Sequence, residues 1–509
     1  MAHLGSRRTR VLTLPVGLAL TASLGFLPMS AASAAPSDGL PTAAVSTDGP
    51  KLSYVVNTTP VHSTGVVRRA IAAAGGTIVT SHDRIGVIVV HSSNPDFAKT
   101  IRNTPGVESA GATRTAPLRS VATTEEGSTE LLTAEEAAKA AAAAGPGQEP
   151  LEPNQWDMRA IQADEASKIN DGSASVTVGV IDTGVDDTHE DLKANFSREQ
   201  SANCVGGVAD TTEGAWRPYT DGSDHGTHVA GTIAAARNGI GVTGVAPGVK
   251  VAGIKVSEPG TSLFYTEAVV CGFVWAAEHG IEVTNNSYYV DPWYFNCQDD
   301  PDQKALLDAL TRATKYAERK GVLNVAAAGN ENYDLASHEI LDPSSPNDTT
   351  PGPRTVDPHK CFDIPTQLPG VVTVSATGVK GFKSYYSSFG LGVADVSAPG
   401  GDRWQIPATP DANGRVLSTV LNGQYGYKQG TSMATPHVAG VAALLKSTHP
   451  KATPAQLQEL LKAQAVNPGC PSKVYNSSGQ LVDATTCKGD SKVNGYYGHG
   501  VVNALNAVK

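Results

Sequence analysis

Three residues that could form the charge relay of a serine nucleophile occur in the order Asp182, His225 and Ser432. Each lies in a motif of mostly small residues: Ile-Asp-Thr-Gly, His-Gly-Thr-His-Val-Ala-Gly and Gly-Thr-Ser-Met-Ala-Thr-Pro. A serine hydroxyl becomes nucleophilic when a base accepts its proton and a carboxylate orients that base. A lone carboxylate at Asp182 would be ordinary, but the three motifs in this order predict nucleophilic catalysis at Ser432.

Ser432 is predicted at the N-terminus of a helix, because small residues surround it and a helical pattern follows over residues 434–447. The helix dipole and the free N–H groups at such a terminus favour negative charge that develops on a substrate. His228 and His437 lie on the helices of the second and third motifs. We expect packing roles for both, with a second base or a metal ligand as the alternative for His228.

The elements that must position these motifs alternate between strands and helices from about residue 154. Continuous apolar strands, as a buried parallel sheet requires, are predicted at residues 176–181, 251–256, 281–284, 322–328 and 371–376. Helical patterns cover residues 228–236, 266–278, 304–319 and 434–447. The alternation predicts a doubly wound α/β domain with a mainly parallel sheet and helices on both faces. Its site should lie beyond the carboxyl ends of the strands.

A small unit of a different kind precedes this domain. Residues 51–115 show the order strand, helix, strand, strand, helix, strand, which is the ferredoxin-like arrangement of an α+β fold. Residues 119–150 are rich in Ala and Glu and contain a capping box from Thr133 to Glu136 before an Ala run. We interpret residues 119–150 as a solvated helical linker with no chemistry.

The N-terminus has the three parts of a secretory signal peptide. Arg7 and Arg8 precede an apolar stretch over residues 11–27, and an Ala-Ser-Ala cleavage sequence ends at Ala34. A membrane anchor is the alternative, but Pro and Gly residues interrupt the apolar stretch. Residues 1–34 therefore predict a secreted, extracellular protein, exported by a general or a twin-arginine route.

Export to an oxidising compartment bears on the cysteines. The chain has six, and an even number predicts disulfides, although six cysteines allow fifteen connectivities. Cys470 and Cys487 are the one pair close enough in sequence for a disulfide between them to be favoured. Cys271 lies in a helical pattern, where a buried free thiol is an equal alternative. No Cys or His spacing in the sequence indicates zinc.

Composition excludes several classes of function. The 509 residues include 39 Lys and Arg against 49 Asp and Glu, a formal net charge of −10. This balance provides no basic surface for nucleic acid or for an anionic membrane. Beyond residues 1–34, no apolar run approaches the roughly 20 residues of a membrane span. We expect a soluble protein with no nucleic-acid or membrane partner after signal removal.

These motifs resemble those of the subtilisin-like serine proteases, the subtilases. Three specific segments carry the resemblance, at residues 180–184, 225–232 and 430–436. The resemblance implies a peptidase domain of subtilisin-like fold over residues 151–509. It also implies that residues 35–118, with their inhibitor-like core at 51–115, form a propeptide that assists folding and inhibits the enzyme.

The resemblance further implies a mechanism. A secreted serine endopeptidase, made as an autoprocessed zymogen, would use Asp182, His225 and Ser432 and form an acyl-enzyme. Asn330, in Ala-Ala-Ala-Gly-Asn, matches the family's residue that donates to the oxyanion, with capping of a turn as the alternative. No cofactor is required for this chemistry. We expect a monomer whose partners are peptide or protein substrates and its own propeptide.

A structural calcium site is also implied, at Asp191 and Asn238. Backbone carbonyls of Ala236, Ile240 and Val242 would complete an oxygen cage, which suits a hard cation. The alternative interpretation is a surface Asp and a turn Asn.

Substrate binding is predicted on two exposed edges, near Gly260 and at residues 287–289, where a peptide would add a strand. Family members usually have Ser-Leu-Gly or Ser-Trp-Gly at the second edge, whereas this chain has Ser287, Tyr288 and Tyr289. A Tyr in place of Gly changes the wall beside the bound peptide and favours narrow specificity. Broad scavenging and a dedicated maturation role both stay open.

Two other classes of function could use the same residues. A non-catalytic binding protein on this fold would normally lack a member of the charge relay, and none is missing. An esterase could use the same relay, but the Gly-x-Ser-x-Gly motif typical of esterases does not surround Ser432. Peptide hydrolysis is therefore the prediction.

Overall fold

The computed structural model of the chain describes residues 49–59, 64–115, 129–219 and 222–509. The predicted signal peptide, residues 1–34, lies outside these ranges, and so do residues 119–128 of the predicted linker. The described residues belong to one compact unit. No helix in the described ranges is both long enough and apolar enough to cross a membrane.

The first described elements form a small α+β unit. They are β1 (Leu52–Thr58), α1 (Thr64–Ala73), β2 (Gly76–His82), β3 (Val87–Ser92), α2 (Phe97–Ile101) and β4 (Val107–Ala112). The strands form an antiparallel sheet in the order β2-β3-β1-β4. Alternate residues of the strands face opposite sides of the sheet, and one side buries Tyr54 and Ile88 against Ile71 and Phe97 of the two helices. The predicted ferredoxin-like arrangement is therefore confirmed.

From residue 129 onward, strands and helices alternate. The strands are β5 (Glu130–Leu131), β6 (Thr177–Asp182), β7 (Ala202–Asn203), β8 (Lys250–Lys255), β9 (Val283–Asn286), β10 (Asn296–Cys297), β11 (Leu323–Ala327), β12 (Ile340–Asp342), β13 (Arg354–Val356), β14 (Cys361–Phe362), β15 (Val371–Thr377), β16 (Val396–Pro399), β17 (Val416–Thr419), β18 (Tyr425–Lys428), β19 (Lys473–Tyr475) and β20 (Leu481–Asp483). The helices are α3 (Ala134–Ala143), α4 (Trp156–Ala160), α5 (Ala163–Ala166), α6 (His225–Ala234), α7 (Thr266–Glu278), α8 (Pro301–Arg319), α9 (Thr431–Thr448), α10 (Pro454–Gln464) and α11 (Ala504–Val508).

Seven of these strands form one sheet in the order β16-β15-β11-β9-β6-β8-β7. Every neighbouring pair in it is parallel. In the register of this sheet, Ile181 of β6 lies beside Asn286 of β9, and Asp182 lies beside Lys255 of β8. The carboxyl ends of β6 and β9 therefore meet at one edge of the sheet.

Hydrophobic cores cover both faces of the seven-stranded sheet. Val180 of β6 faces a core that it shares with Val438 of α9. The next residue, Ile181, faces the opposite core together with Leu310 of α8. Because each strand is buried on both faces, its sequence is a continuous apolar run instead of an alternating one. The predicted doubly wound α/β fold is confirmed.

The face of the small α+β sheet opposite to α1 and α2 packs on the larger domain. Val55 and Val87 belong to the same hydrophobic core as Leu310 of α8. Beside this apolar contact, Asn57 Nδ2 donates a hydrogen bond of 2.8 Å to the carbonyl of Ala305. Apolar packing and a buried hydrogen bond thus hold the small unit on α8.

The prediction of a solvated linker is wrong for residues 129–150. β5 pairs with β18 as an edge strand, and α3 begins with the predicted capping box of Thr133 and Glu136. Ala140 of α3 is fully buried in a core that includes Leu417 of β17. Ala140 therefore lies on a docked face of α3, where a small side chain lets the helix approach the strands closely. Ala138 and Ala141–Ala143 are exposed, so the other side of the helix is solvated, as predicted.

The cysteines, all in the described ranges, form three disulfides: Cys204–Cys271, Cys297–Cys361 and Cys470–Cys487. The Cys470–Cys487 pair, predicted from proximity in sequence, is confirmed. The alternative of a free thiol at Cys271 is wrong. The other two pairs span 67 and 64 residues, so only the tertiary fold selects them among the fifteen connectivities.

Candidate active site

Asp182 lies at the carboxyl end of β6 and is fully buried. His225, the first residue of α6, binds Asp182 Oδ1 through Nδ1 at 2.8 Å. The backbone N–H of Thr183 donates to the same oxygen at 2.7 Å. Because the carboxylate engages Nδ1, the Nε2 atom of the imidazole is the ring nitrogen that can accept a proton.

Ser432 is the second residue of α9 and directly follows Thr431. Its Oγ donates to the carbonyl of Ser287 at 3.1 Å, and Ser287 Oγ donates to the Ser432 carbonyl at 3.0 Å. Ser287 comes directly after β9, the neighbour of β6 in the sheet. These bonds bring Ser432 to the edge that holds Asp182. Its backbone N–H is one of the donors that a helix N-terminus leaves without an intrahelical partner.

Asn330 comes soon after β11, a third strand that ends at this edge. Its Oδ1 accepts hydrogen bonds from the Thr431 N–H at 2.8 Å and from the Thr431 hydroxyl at 2.9 Å. This arrangement leaves the Nδ2 donor of Asn330 to face another partner. Sequence reasoning missed the role of Thr431 in orienting this amide, although its position next to Ser432 is a usable signal.

An ion pair joins the segments that lead into the second and third motifs. Lys428 Nζ of β18 lies 3.0 Å from Asp224 Oδ1, which immediately precedes His225. Burial opposes ionisation of Asp224, but the charge and hydrogen bond of Lys428 outweigh it, so the pKa of Asp224 lies below its ordinary value. The pair fixes the start of α6 against the strand that leads to α9.

The two other motif histidines contribute to packing, in agreement with the structural role expected for them. His228 Nε2 lies 3.1 Å from the carbonyl of Val416, and burial lowers the pKa of His228 to about 3. His437 is fully buried, and its Nε2 lies 3.0 Å from the Asp157 carboxylate. Neither histidine contacts Asp182.

Of the predicted substrate-binding residues, Ser287 and Tyr289 line a cavity at this edge of the sheet. The Tyr289 hydroxyl accepts a hydrogen bond of 2.9 Å from Asn347 Nδ2. The prediction that both tyrosines form the wall needs correction for Tyr288. Tyr288 also lines the cavity, but its ring stacks on Phe264 in the core, with the centroids 4.6 Å apart.

Gly260 lies in an exposed turn and has a φ of 74°, a conformation that glycine adopts without strain. The same turn contains Glu258, which forms an ion pair of 2.9 Å with Arg114 of the small α+β unit. Arg114 also pairs with Glu267 at 2.8 Å. The end of the small unit therefore reaches the turn where a substrate edge is predicted.

The cavity beside Ser432 also contains three residues that the motifs do not indicate: Tyr294, Glu331 and Asp363. The Tyr294 hydroxyl and the backbone N–H of Asn330 both donate to Glu331 Oε2. Burial, together with the charge of Glu331, raises the pKa of Asp363 well above its ordinary range. Glu331 could have been found as the neighbour of Asn330, whereas nothing in the sequence spacing marks Asp363.

The predicted calcium site at Asp191 and Asn238 does not fit a cation. Asp191 Oδ2 accepts hydrogen bonds from the Tyr425 hydroxyl at 3.0 Å and the Val242 N–H at 2.9 Å, and Oδ1 accepts from Asn238 Nδ2 at 3.0 Å. These groups direct hydrogens at the carboxylate, whereas Ca²⁺ needs about six to eight oxygen ligands whose lone pairs face it. Both carboxylate oxygens of Asp191 thus accept hydrogen bonds at the place where a cation was predicted.

Glu149 holds the same loop from another side. Its Oε2 accepts hydrogen bonds from the backbone N–H groups of Gly239 at 2.7 Å and Ile240 at 3.1 Å. Glu149 belongs to the segment that was predicted as a free linker. The loop is therefore anchored to carboxylates through its N–H groups, which a cation could not bind.

The sequence profile of the Subtilase family matches residues 173–500, a range that includes all three motifs. The chain belongs to the subtilase family. Subtilisin NAT of Bacillus subtilis subsp. natto is 35% identical over 292 residues, which are 57% of this chain and 61% of that protein. The match thus spans less than two thirds of that relative's length. Subtilisin of Bacillus pumilus is 34% identical over 308 residues, 60% of this subtilase and 89% of that protein.

Solved structures extend the similarity beyond the motifs. The epidermin leader peptide processing serine protease of Staphylococcus aureus has a TM-score of 0.63 and 25% identity, covering 90% of this subtilase and 99% of that chain. Fervidolysin of Fervidobacterium pennivorans has a TM-score of 0.58 at 22% identity, covering 90% of this chain and 61% of that one. The family and the subtilisin-like fold predicted from the motifs are both confirmed.

Proposed function

We propose that this subtilase is a serine endopeptidase that cleaves peptide bonds through a charge relay of Asp182, His225 and Ser432. The observation that carries the proposal is the 2.8 Å hydrogen bond between Asp182 and His225, at the sheet edge that also holds Ser432. A serine that attacks a carbonyl needs a base that a buried carboxylate orients in this way. Peptides and proteins are the proposed substrates, and no cofactor takes part in the chemistry.

The reaction proceeds through an acyl-enzyme. Ser432 Oγ attacks the scissile carbonyl carbon while His225 Nε2 takes the hydroxyl proton. Asp182 keeps the imidazole in the tautomer with an unprotonated Nε2 and stabilises the imidazolium. His225 then gives the proton to the leaving amine, and the C–N bond breaks. A water molecule, deprotonated by His225, hydrolyses the ester and regenerates the serine.

Two donors stabilise the negative charge on the tetrahedral oxygen, the Nδ2 group of Asn330 and the N–H of Ser432. The hydrogen bonds of 2.8 and 2.9 Å from Thr431 to Asn330 Oδ1 support this role, because they fix the orientation of the amide, whose Nδ2 group is its hydrogen-bond donor. Donors that are fixed before the reaction cost no reorganisation when charge develops, and they therefore contribute strongly to catalysis.

The substrate backbone would add a strand beside Gly260 and Ser287. The position of Ser287, within 3.1 Å of Ser432 Oγ, supports this placement. Tyr289 forms the aromatic wall beside the bound peptide and narrows the specificity. Broad degradation and maturation of a particular protein are both consistent with this geometry.

The enzyme is proposed to be secreted as a zymogen with residues 35–118 as its propeptide. Two contacts support inhibition: the small α+β unit packs on α8, and Arg114 pairs with Glu258 beside the predicted substrate edge at 2.9 Å. A unit held there would obstruct a substrate and would offer a template for folding. Residues 151–509 would form the peptidase domain, on which residues 129–149 stay docked.

The variant Ser432→Ala tests this proposal. Wild type should hydrolyse a quenched fluorescent peptide library and convert its precursor to the mature form, and Ser432→Ala should do neither when no active copy is present. Ser478→Ala, which changes an exposed turn serine, is the matched control and should behave as wild type. Normal processing of purified Ser432→Ala would show that another enzyme cuts the precursor. Ester hydrolysis without peptide hydrolysis would favour an esterase.

A further inference from the structure

The cavity beside Ser432 is acidic. We call it the acidic pocket and define it by Ser287, Tyr289, Tyr294, Gly329, Glu331 and Asp363. It is a small pocket that opens to solvent, and the space of about 280 Å³ beside its lining residues includes solvent at the mouth. Its ionisable lining groups are tyrosine hydroxyls and two carboxyl groups, and none of the described residues that line it is Lys, Arg or His. A negatively charged pocket of this kind favours a cationic ligand.

The two carboxyl groups differ in their partners. Glu331 is held by the Tyr294 hydroxyl and by the Asn330 N–H, the latter at 2.8 Å. Asp363 is 1% exposed, and within the described part of the chain its Oδ1 has no hydrogen-bond partner. A buried carboxyl oxygen without a partner costs free energy, which a ligand that donates to it recovers.

The backbone around Asp363, one of the residues that line the pocket, is held in place. Its N–H donates to Gln367 Oε1 at 2.8 Å, and the neighbouring Ile364 is fully buried. Burial and the charge of Glu331 raise the pKa of Asp363, which is the response of a carboxyl group that lacks a counter-ion. A cation in the pocket would favour the ionised form of Asp363 and therefore lower this pKa.

We propose that the acidic pocket binds the side chain of the residue before the cleaved bond and that Asp363 selects lysine or arginine there. This inference rests on the proposed function. The attacked carbonyl would lie between Ser432 and Asn330, and both residues border the pocket, so the adjacent side chain enters it. A charge-assisted hydrogen bond to Asp363 then fixes the cation. The rings of Tyr289 and Tyr294 add cation–π contact.

The competing ligand is a small uncharged side chain. A Cβ at Gly329 would collide with the Tyr294 hydroxyl, so this phenol lies directly against Gly329 in the lining of the pocket. A small side chain such as alanine would need less of the remaining space than lysine or arginine. The experiment therefore has to compare basic, small and large uncharged residues at this one position.

The test uses the full-length zymogen after maturation and a peptide series that differs only in the residue before the cleaved bond: Lys, Arg, Ala, Leu or Glu. We expect kcat/KM for Lys or Arg to exceed that for Ala and Leu by about 30-fold or more, because loss of one member of a buried ion pair costs about 2 kcal/mol or more. Asp363→Asn should lower this ratio by a similar factor. Asp299→Asn, which removes an exposed carboxylate outside the pocket, is the control for net charge and should keep the ratio.

Preference for Ala or Leu in wild type, or an unchanged ratio in Asp363→Asn, would overturn the inference. Absence of all peptide cleavage by wild type would instead contradict the proposed function. If Asp363→Asn does not fold, wild type still provides a test. n-Butylammonium, which matches a lysine side chain from Cβ onward, should inhibit competitively at concentrations where 1-butanol does not. Equal inhibition by the two compounds would also overturn the inference.

Discussion

The two sides of Ser432 hold buried carboxyl groups in opposite surroundings. On the catalytic side, Asp182 is fully buried and binds His225 at 2.8 Å. On the pocket side, Asp363 is equally buried, but no basic or imidazole group among the described residues acts on it. One oxygen of each carboxyl group, Oδ2 of Asp182 and Oδ1 of Asp363, has no hydrogen-bond partner within the described residues. The first carboxyl group has its partner in the same chain. The second is arranged to receive one from a substrate.

The residues of the proposed charge relay and those of the acidic pocket are distributed differently along the sequence. Each proposed catalytic residue lies in a short contiguous motif, because a strand end or a helix start and its small neighbours follow one another in sequence. The acidic pocket draws single residues from separate segments after β9, β11 and β14, including Tyr294, Glu331 and Asp363. The residues of the charge relay can therefore be predicted from short motifs, whereas the residues of the pocket are brought together only by the tertiary fold.

The largest effect is expected on the catalytic side. Asp182→Asn should lower kcat by about 10⁴-fold, because the amide favours the wrong imidazole tautomer and cannot stabilise the imidazolium. Steady-state kinetics on the best peptide would measure this loss, with Asp299→Asn as the control for charge. A fall in kcat of less than tenfold would remove Asp182 from the charge relay.

A smaller loss is expected at the oxyanion. Asn330→Leu should lower kcat by about 10²–10³-fold with little change in KM, which is the known cost of removing one oxyanion donor in a subtilisin. Thr431→Val should give part of this loss, because it removes the hydroxyl that binds Asn330 Oδ1 at 2.9 Å. An unchanged kcat in Asn330→Leu would show that another donor binds the oxyanion.

A change in specificity is expected from a substitution in the wall of the acidic pocket. Tyr289→Gly should broaden the set of cleaved peptides, because it removes an aromatic ring from the wall of the pocket. The centroid of this ring lies 4.5 Å from the centroid of the Tyr294 ring. Activity on the best peptide should stay within about tenfold, or roughly 1.4 kcal/mol. Wild type and variant would be compared on one peptide library at matched active-site concentration. Coinciding cleavage profiles would mean that Tyr289 does not determine specificity.

The smallest effect concerns the loop at Asp191. A calcium chelator should leave the thermal midpoint of the mature enzyme unchanged, because the Tyr425 hydroxyl and backbone N–H groups satisfy this carboxylate. Tyr425→Phe should lower stability by about 1–3 kcal/mol, since it removes one hydrogen bond to a buried carboxylate whose Oδ2 keeps the Val242 N–H as its other donor. A chelator-dependent midpoint in wild type, abolished in Asp191→Asn, would restore the calcium site.

Sequence patterns predicted the parallel sheet and its helices, because apolar runs such as residues 371–376 record burial on both faces. They also predicted that Asp182, His225 and Ser432 lie together at the carboxyl ends of the strands of this sheet. They did not indicate that the Tyr425 hydroxyl, 234 residues away in the chain, donates to Asp191.

The linker prediction failed for a related reason. The Ala run of α3 has the same composition whether it faces water or a protein surface, and the burial of Ala140 against Leu417 depends on the assembled β17 and β18. Elements with a strong apolar period are predictable from sequence, whereas contacts that need a distant partner are not.

The most direct test of a nucleophilic Ser432 is covalent labelling of the mature enzyme with diisopropyl fluorophosphate, followed by intact mass and peptide mapping. We expect one phosphoryl adduct, on Ser432, to form together with the loss of peptidase activity. His225→Ala should retain Ser432 but label far more slowly, because the base that activates the hydroxyl is gone. An active enzyme that gains no adduct, or that is inactivated by an adduct on a different residue, would contradict the assignment of Ser432 as the nucleophile.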